Sequence, residues 1–217
     1  MGLATDIAGD FEALTDDLKA VTLVKRDATE VAITKALRRA ISHREAANSD
    51  GKYISGDVRF HFATSQVAAR PELGAYIEDD DGNWRILEVG TETLNNRYAC
   101  VCRNLAIVNE LNTILTLQSA TYAKGSGGAQ EPTWANVSTT IRGKVQVASA
   151  DRETTHDTKQ LPRLATIYLE TQILAVNTNY RFLGPDGTIY KVLGWDGPDR
   201  SDALFSVRCE VTNWPMT

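Results

Sequence analysis

The side chains that most often carry out chemistry are few in this sequence and form no catalytic pattern. Its three histidines, His43, His61 and His156, match neither a nucleophile with its base nor a set of metal ligands. Cys100 and Cys102 are separated by one residue, so both side chains lie on one face if the segment is a strand. A metal pair would need further ligands nearby, and core packing of small residues is the simpler interpretation.

Two segments have the composition of ligand-binding loops but lack what such loops require. Residues 125–130 (GSGGAQ) are not followed by the Lys-Ser/Thr pair or the helix of a phosphate-binding loop. The acidic run at residues 78–81 could bind a cation, but a solvated hairpin tip accounts for it without one. The sequence therefore predicts no catalysis, no cofactor and no metal, and an enzyme is the weakest alternative.

Aromatic side chains are a second kind of candidate site. Four tryptophans and seven tyrosines could supply stacking platforms for single-stranded nucleic acid on a small barrel. Trp84 and Tyr190 occupy matching positions of a repeated strand, which favours core packing for both. Trp134, Trp195 and Trp214 lie in or beside predicted loops and are the candidate aromatic contacts with a partner.

Size and charge limit the possible functions. A chain of 217 residues with 42% hydrophobic residues can bury one large core or two small ones. A net charge of −5 argues against a protein that holds duplex DNA by neutralising its phosphates. No apolar run approaches a membrane span and the N-terminus does not resemble a signal peptide. Three cysteines without a CxxC pair indicate reduced thiols. We expect a soluble protein made in a cytoplasm.

One stretch occurs twice and organises the chain. Residues 180–210 repeat the pattern of residues 76–104: an aromatic-led strand, an acidic turn, a second strand and, after a polar connection, a third strand. Gly82 and Gly187 close the turns, and each follows an aspartate, as in tight hairpins with positive φ. The second strands align WRIL (84–87) with YKVL (190–193). Each copy is thus predicted to form a three-strand antiparallel meander.

The match extends over whole domains. Residues 18–25 align with residues 117–124 at an offset of 99, Leu37-Arg38 with Ile141-Arg142 at 104, and Trp84 with Tyr190 at 106. In the last strand, Tyr98, Cys100 and Val101 align with Leu204, Ser206 and Val207. Repeats of this length are domains rather than solenoid units. We therefore predict two domains, residues 1–103 and 104–217.

The elements within each domain complete the fold prediction. Apolar residues at helical spacing predict lead-in helices at residues 5–19 and within 104–116. Strands are expected at 21–25, 36–44, 58–62, 138–147 and 166–171, with a polar connection at 27–35. Two long polar segments, 45–56 and 148–163, are predicted to be loops. The predicted fold is all-β, with two tandem small antiparallel β-barrels or sandwiches.

Several of these features together resemble the head-tail connector proteins of tailed bacteriophages, in the head-closure (stopper) or adaptor class. They are the acidic helix before a VTLVKR strand, the segment WANVSTTIRG (134–143), the hairpin pattern GTIYKVL (187–193), and the closing strand that ends at Cys209. Members of that family usually have one small barrel with a long loop, whereas this chain is predicted to have two.

The resemblance implies a virion protein of the phage neck. Such a protein forms a homo-oligomeric ring, binds portal or adaptor and tail proteins, and closes or lines the channel for packaged double-stranded DNA. It has no membrane partner. The two long loops take the place of the family's channel-facing or subunit-contact loop. Their candidate contact residues are Arg44, Lys52, Arg152, Lys159 and Arg163.

Alternatives stay open at this point. Another virion ring protein, such as a tail terminator or tail-tube-like protein, would also assemble as a ring. A tandem β-barrel module that binds single-stranded nucleic acid or peptide belongs to a different class. Both rivals and the neck protein fit a duplicated barrel, and the loop at 148–163 is expected to become ordered only in an assembly.

Overall fold

The computed structural model describes residues 11, 13, 16–92, 95–124, 128–147, 163–171, 173, 177–198, 200 and 202–212. The chain divides into two compact units, residues 1–108 with 199–203, and residues 109–198 with 204–217. The division along the chain therefore lies about five residues after the predicted one at 103/104.

The first unit contains a closed antiparallel barrel of six strands. Its strands are β1 (Lys19–Val24), β2 (Glu30–Ala40), β3 (Val58–Ala63), β4 (Tyr76–Asp79), β5 (Gly82–Glu92) and β6 (Arg97–Arg103). They are hydrogen-bonded in the order β1-β2-β3-β6-β5-β4, and β4 returns to β1. Closure leaves the barrel without the unpaired edges of an open sheet.

Alternation of side chains places the core inside this barrel. Phe60 and Phe62 are fully buried and point inward from β3, as the sequence predicted. Trp84 packs edge-on against Phe60, with ring centroids 6.3 Å apart. Its burial confirms that it is a core residue rather than an exposed platform.

The second unit contains a barrel of the same topology. Its strands are β7 (Thr113–Lys124), β8 (Gln130–Val147), β9 (Arg163–Leu169), β10 (Tyr180–Leu183), β11 (Ile189–Asp196) and β12 (Phe205–Thr212). Their order, β7-β8-β9-β12-β11-β10, repeats that of the first barrel strand for strand. The predicted all-β fold with two tandem barrels is confirmed.

Strand registers confirm the duplication in detail. Ile77 faces Trp84 across β4 and β5, and Phe182 faces Tyr190 across β10 and β11. Each second strand then carries a β-bulge at the same place, between Ile86 and Glu88 in β5 and between Val192 and Gly194 in β11. Bulges at matching positions indicate a shared design rather than a chance similarity.

The alignment of the last strands was wrong by one residue. Cys102 pairs with Val58 and Ile86, and Cys209 pairs with the matching residues Ala165 and Val192. The offset is therefore 107 rather than 106. A slip of one residue exchanges the two faces of a strand, so Cys100 matches the buried Val207 instead of Ser206.

The upstream alignment was also wrong, although it lay on the right strands. Leu23 pairs with Ile77 in the first barrel, and Leu117 pairs with the equivalent residue Phe182 in the second. Leu23 therefore matches Leu117, at an offset of 94 instead of 99. By the same reasoning Ala36 matches Gly143, at 107 instead of 104. Gly143 lies at a closely packed position, where a Cβ would be 3.1 Å from atoms of Leu115, Tyr168 and Leu169.

Three predicted elements need correction. The helix expected within 104–116 is only α2 (Leu105–Val108), and residues from Thr113 onward form β7. Residues 30–35 belong to β2 rather than to a connection, and β2 ends before α1 (His43–Ala47). At residues 36–44 the spacing of apolar residues fitted helix and strand alike. Most of the lead-in helix predicted at 5–19 lies outside the described residues.

Candidate functional site

The hairpin formed by β7 and β8 extends beyond the second barrel. β10 pairs with β7 only from Thr116 to Ser119, and β9 pairs with β8 only from Gly143 to Val147. The ladder between β7 and β8 nevertheless continues to the pair Lys124–Gln130. We call residues 120–124 and 130–137 the distal ribbon. Past Ala120, whose N–H donates to Asn179, its outer backbone edges have no partner strand among the described residues.

Side chains of the distal ribbon are largely exposed on both faces. Tyr122 is 49% exposed and Val137 is 54% exposed. Two register irregularities lie where the ribbon leaves the barrel, between Leu115 and Leu117 and between Leu117 and Gln118. Bulges increase the local twist and redirect a strand pair. The ribbon thus presents a large aromatic and a large aliphatic side chain outside any core of its own barrel.

A network of side chains fixes the base of the ribbon to the barrel. The Arg181 guanidinium stacks over the Trp134 ring, 4.0 Å from its centroid. Arg181 Nε donates to Gln118 Oε1 at 2.7 Å, and Gln118 Nε2 donates to Asn136 Oδ1 at 2.8 Å. The register places Arg181 opposite Gln118 and Gln118 opposite Asn136, so the network crosses three neighbouring strands.

No carboxylate among the described residues balances the charge of Arg181. Burial lowers the pKa of its guanidinium, and no ion pair involving it occurs in the described part of the chain. Lys191 lies directly opposite Arg181 across β10 and β11 and is exposed. Like charges in that position are unfavourable within a sheet. We call Arg181 and Lys191 the cationic pair.

The first polar segment, residues 45–56, is folded against its barrel. Ser42 caps α1 in a capping box with Glu45. Tyr53 donates from its hydroxyl to Glu88 Oε2 at 2.5 Å, and Lys52 forms an ion pair with the same carboxylate. These hydrogen bonds, from Lys52 first, lower the pKa of Glu88. The predicted loop is therefore a short helix and a turn held by β5.

A buried ion pair anchors the end of the same segment. Arg103 binds Asp57 through two hydrogen bonds, Nε to Oδ1 at 2.7 Å and Nη2 to Oδ2 at 2.8 Å. Asp57 is completely buried and also accepts from the backbone N–H of Ile54. In the second barrel the matching positions hold Leu164, which is 47% exposed, and Glu210. The second barrel thus lacks this anchor.

The predicted contact residues that the structure describes lie on separate elements. Arg44 is exposed on α1, and Arg163 is exposed at the start of β9. Arg152, Lys159 and Trp214 lie outside the described residues. Trp195 is 43% exposed on β11 and shares a face with the buried Val207.

Of the two predicted aromatics that the structure describes, Trp134 enters the network described above and Trp195 does not, and the sequence did not reveal the partners of Trp134. Arg181, Gln118 and Asn136 are distant in sequence, and only the strand register brings them together.

Both hairpin glycines have the predicted backbone conformation. Gly82 has φ +122° and Gly187 has φ +83°. In the second hairpin, Asp186 binds both the N–H and the hydroxyl of Thr188. These hydrogen bonds lower the pKa of the Asp186 carboxyl. The turn residues therefore have structural partners of their own.

The cysteines are core residues. Cys100, Cys102 and Cys209 are free, buried thiols, and burial raises the pKa of Cys100 and of Cys209 to about 12. A thiol with so high a pKa is a poor nucleophile and metal ligand. Among the residues that the structure describes, no three His, Cys, Asp or Glu side chains are grouped to hold a metal ion.

Comparisons with known proteins give little further information. No protein-family model matches the chain, and no curated protein matches it. One similar solved structure is the solution structure of protein SF1141 from Shigella flexneri 2a, with 17% identity and a TM-score of 0.33. The match covers 46% of this chain and 90% of that chain. A TM-score this low supports no inference. In the described part of the chain, no helix has the length and hydropathy to span a membrane.

Proposed function

We propose that this chain is a structural protein of a phage neck, which forms a ring between the DNA-filled head and the tail. The observation that carries the proposal is the distal ribbon, a strand pair that leaves the barrel and exposes Tyr122 and Val137 outside it. Open strand edges offer a ready template for pairing with another chain. The sequence resemblance to head-tail connectors supplies the context of that contact.

In this proposal the barrels are rigid bodies and the ribbon is the connecting part. The partners are further copies of the chain, a portal or adaptor protein on one side and tail proteins on the other. Packaged DNA passes through the channel. The net charge of −5 suits that role, since strong phosphate contacts would hold the DNA in place. The protein requires neither a cofactor nor catalysis for this task and belongs in the virion.

A second candidate function is favoured by the Trp134–Arg181 stack. An aromatic ring with a neighbouring cation is a common element of surfaces that bind single-stranded nucleic acid. In that reading the chain is a monomeric binding module. Another virion ring protein, such as a tail terminator, is separated from a neck protein only by its place in the particle.

Measurement of the assembly state separates the two classes. The purified chain, examined by size-exclusion chromatography with light scattering and by negative-stain microscopy, is expected to form closed rings as concentration rises. A monomer at all accessible concentrations that binds single-stranded oligonucleotides would overturn the neck proposal in favour of the second candidate.

A shortened ribbon tests the observation itself. We expect replacement of residues 121–133 by Asn-Gly to leave the second barrel folded, because its core contains none of these residues. The same change is expected to abolish ring formation. As a point variant, Tyr122→Ala is expected to weaken assembly by about tenfold or more, as for buried aromatic contacts. Its control, Thr121→Ala, lies on the opposite face of β7 and should have little effect. Normal rings from the shortened chain would contradict the proposed role of the ribbon.

A further inference from the structure

The cationic pair has the properties of a docking site for carboxylates. A guanidinium has five N–H donors, and for Arg181 only Nε has a hydrogen-bond acceptor among the described residues. Its partners there, Gln118 and the Trp134 ring, are neutral. Lys191 is exposed beside it and makes no ion pair in the described part, although Glu210 lies opposite on β12. Two cations are thus held together with unused donors.

The first barrel carries a complementary acidic turn at residues 78–81. Two of its carboxylates are used internally, since Asp79 and Asp81 both bind Arg38. Asp79 also accepts from Trp84 Nε1 at 2.8 Å. The other two, Glu78 and Asp80, are exposed and form no ion pair within the described structure. The turn therefore presents two unused carboxylates to the surroundings.

We propose that the cationic pair of one copy binds Glu78 and Asp80 of a second copy. This inference rests on the proposed function, because it names the contact between neighbouring subunits of the ring. The two patches lie on different barrels, so each copy offers one of each kind. A contact between two different patches repeats from copy to copy and closes when the rotation allows, as in a ring. Complementary charges set the orientation and speed of such association.

The duplicated structure supports this assignment, because each patch is absent from the other barrel. The position of the cationic pair is taken in the first barrel by Tyr76 and Arg85, which also face each other. The second barrel's turn contains one aspartate, Asp186, and that carboxylate is bound by Thr188. The cationic pair of a second barrel is therefore complementary in charge to the acidic turn of a first barrel, as a head-to-tail contact between copies requires.

Charge reversal tests the contact directly. Lys191→Glu changes the cationic pair at an exposed side chain, and Glu78→Lys with Asp80→Lys changes the turn without touching Asp79 or Asp81. Each reversal is expected to raise the concentration required for assembly by about tenfold or more. All three substitutions in one chain are expected to assemble more readily than the turn reversal alone, because Lys191→Glu offers a carboxylate to the two new lysines. The matched control is Arg208→Glu, which makes the same charge change at an exposed residue of β12.

Assembly is measured by light scattering at about 50 mM and about 500 mM salt, and folding by circular dichroism. The parent is expected to assemble less readily at the higher salt concentration, since exposed charges are screened.

Parent rings that are unaffected by either reversal would overturn this contact and leave the proposed function standing. If Lys191→Glu impairs ring assembly but the turn reversal does not, the cationic pair does not bind the acidic turn. Loss of binding to a double-stranded oligonucleotide with unchanged rings would assign the cationic pair to DNA instead. A parent that never assembles would overturn both proposals.

Discussion

The two barrels share one topology but use their charged residues differently. On the first barrel, two arginines are neutralised within the unit: Arg38 by Asp79 and Asp81, and Arg103 by Asp57. On the second, the described partners of Arg181 are neutral, and the first hairpin continues into a ribbon without its own core. The comparison shows that a shared strand topology can carry different charge arrangements on the two barrels.

The largest expected effect concerns the anchor present only in the first barrel. Asp57→Ala removes the buried partner of the partly buried Arg103 guanidinium, and breaking such a pair typically costs about 3–5 kcal/mol. We expect urea denaturation to show that loss in the first unit. Leu164→Ala changes the matching, exposed position of the second barrel and should cost less than about 1 kcal/mol. Equal losses for the two variants would contradict the difference between the barrels.

An intermediate effect is expected at the hairpin glycines, where the barrels should behave alike. A Cβ at Gly187 would meet no atom within 4 Å, so the cost of Gly187→Val is backbone strain at φ +83°, about 1–2 kcal/mol. Gly82→Val is expected to cost about as much. Thermal denaturation provides the measurement. Gly197→Val and Gly56→Val are the controls, since both sites are open and neither has a positive φ. Parent-like stability of Gly187→Val would show that the turn conformation is wrong.

The smallest expected effect is a pH dependence of folding stability, and it is confined to the first unit. His61 is buried on the outer face of β3, with Nδ1 3.3 Å from Glu92 Oε2. Burial lowers the pKa of His61, and nearby Arg97, Arg59 and Arg39 add to this while Glu92 opposes it. The unfolded chain therefore binds the proton more readily. Stability should be fully present above about pH 6.5 and decline as the pH falls through that value.

Denaturation midpoints measured between about pH 8 and pH 5 test this direction. His61→Gln is expected to flatten the profile, whereas His43→Gln, at an exposed residue of α1, should leave it unchanged. The second barrel has Tyr168 at the matching position and should show no such decline. A profile that rises toward low pH would contradict the assignment to His61.

Much of the fold could be predicted because the duplicated strands carry strong local patterns. The Trp84 and Tyr190 strands share four aligned residues and a preceding glycine turn. The aligned residues and the turn each fix the register between the two copies. Val58, Phe60 and Phe62 alternate without interruption, which is typical of a half-buried strand. These signals are local, so they required no knowledge of the tertiary structure.

The errors arose where register depends on neighbouring strands. The similarity of LKAVTLVK to LQSATYAK suggested an offset of 99, but burial of Leu115 and Leu117 inside the barrel sets it at 94. β7 continues well past its barrel, so its similar residues lie on the ribbon. The Arg181 network was unpredictable for the same reason, since it depends on pairings between strands more than 60 residues apart.

The paired backbone of the distal ribbon has a thermodynamic consequence for any contact that it makes. A disordered arm loses conformational freedom when it binds, and that loss reduces affinity. Here the ladder from Ala120–Trp134 to Lys124–Gln130 and the stacking of Trp134 on Arg181 define the arm's shape before a partner arrives. At about 3.4 Å per residue, it also extends roughly 15 Å from the barrel. The ribbon therefore offers reach together with preorganisation, so more of its contact energy is retained as affinity.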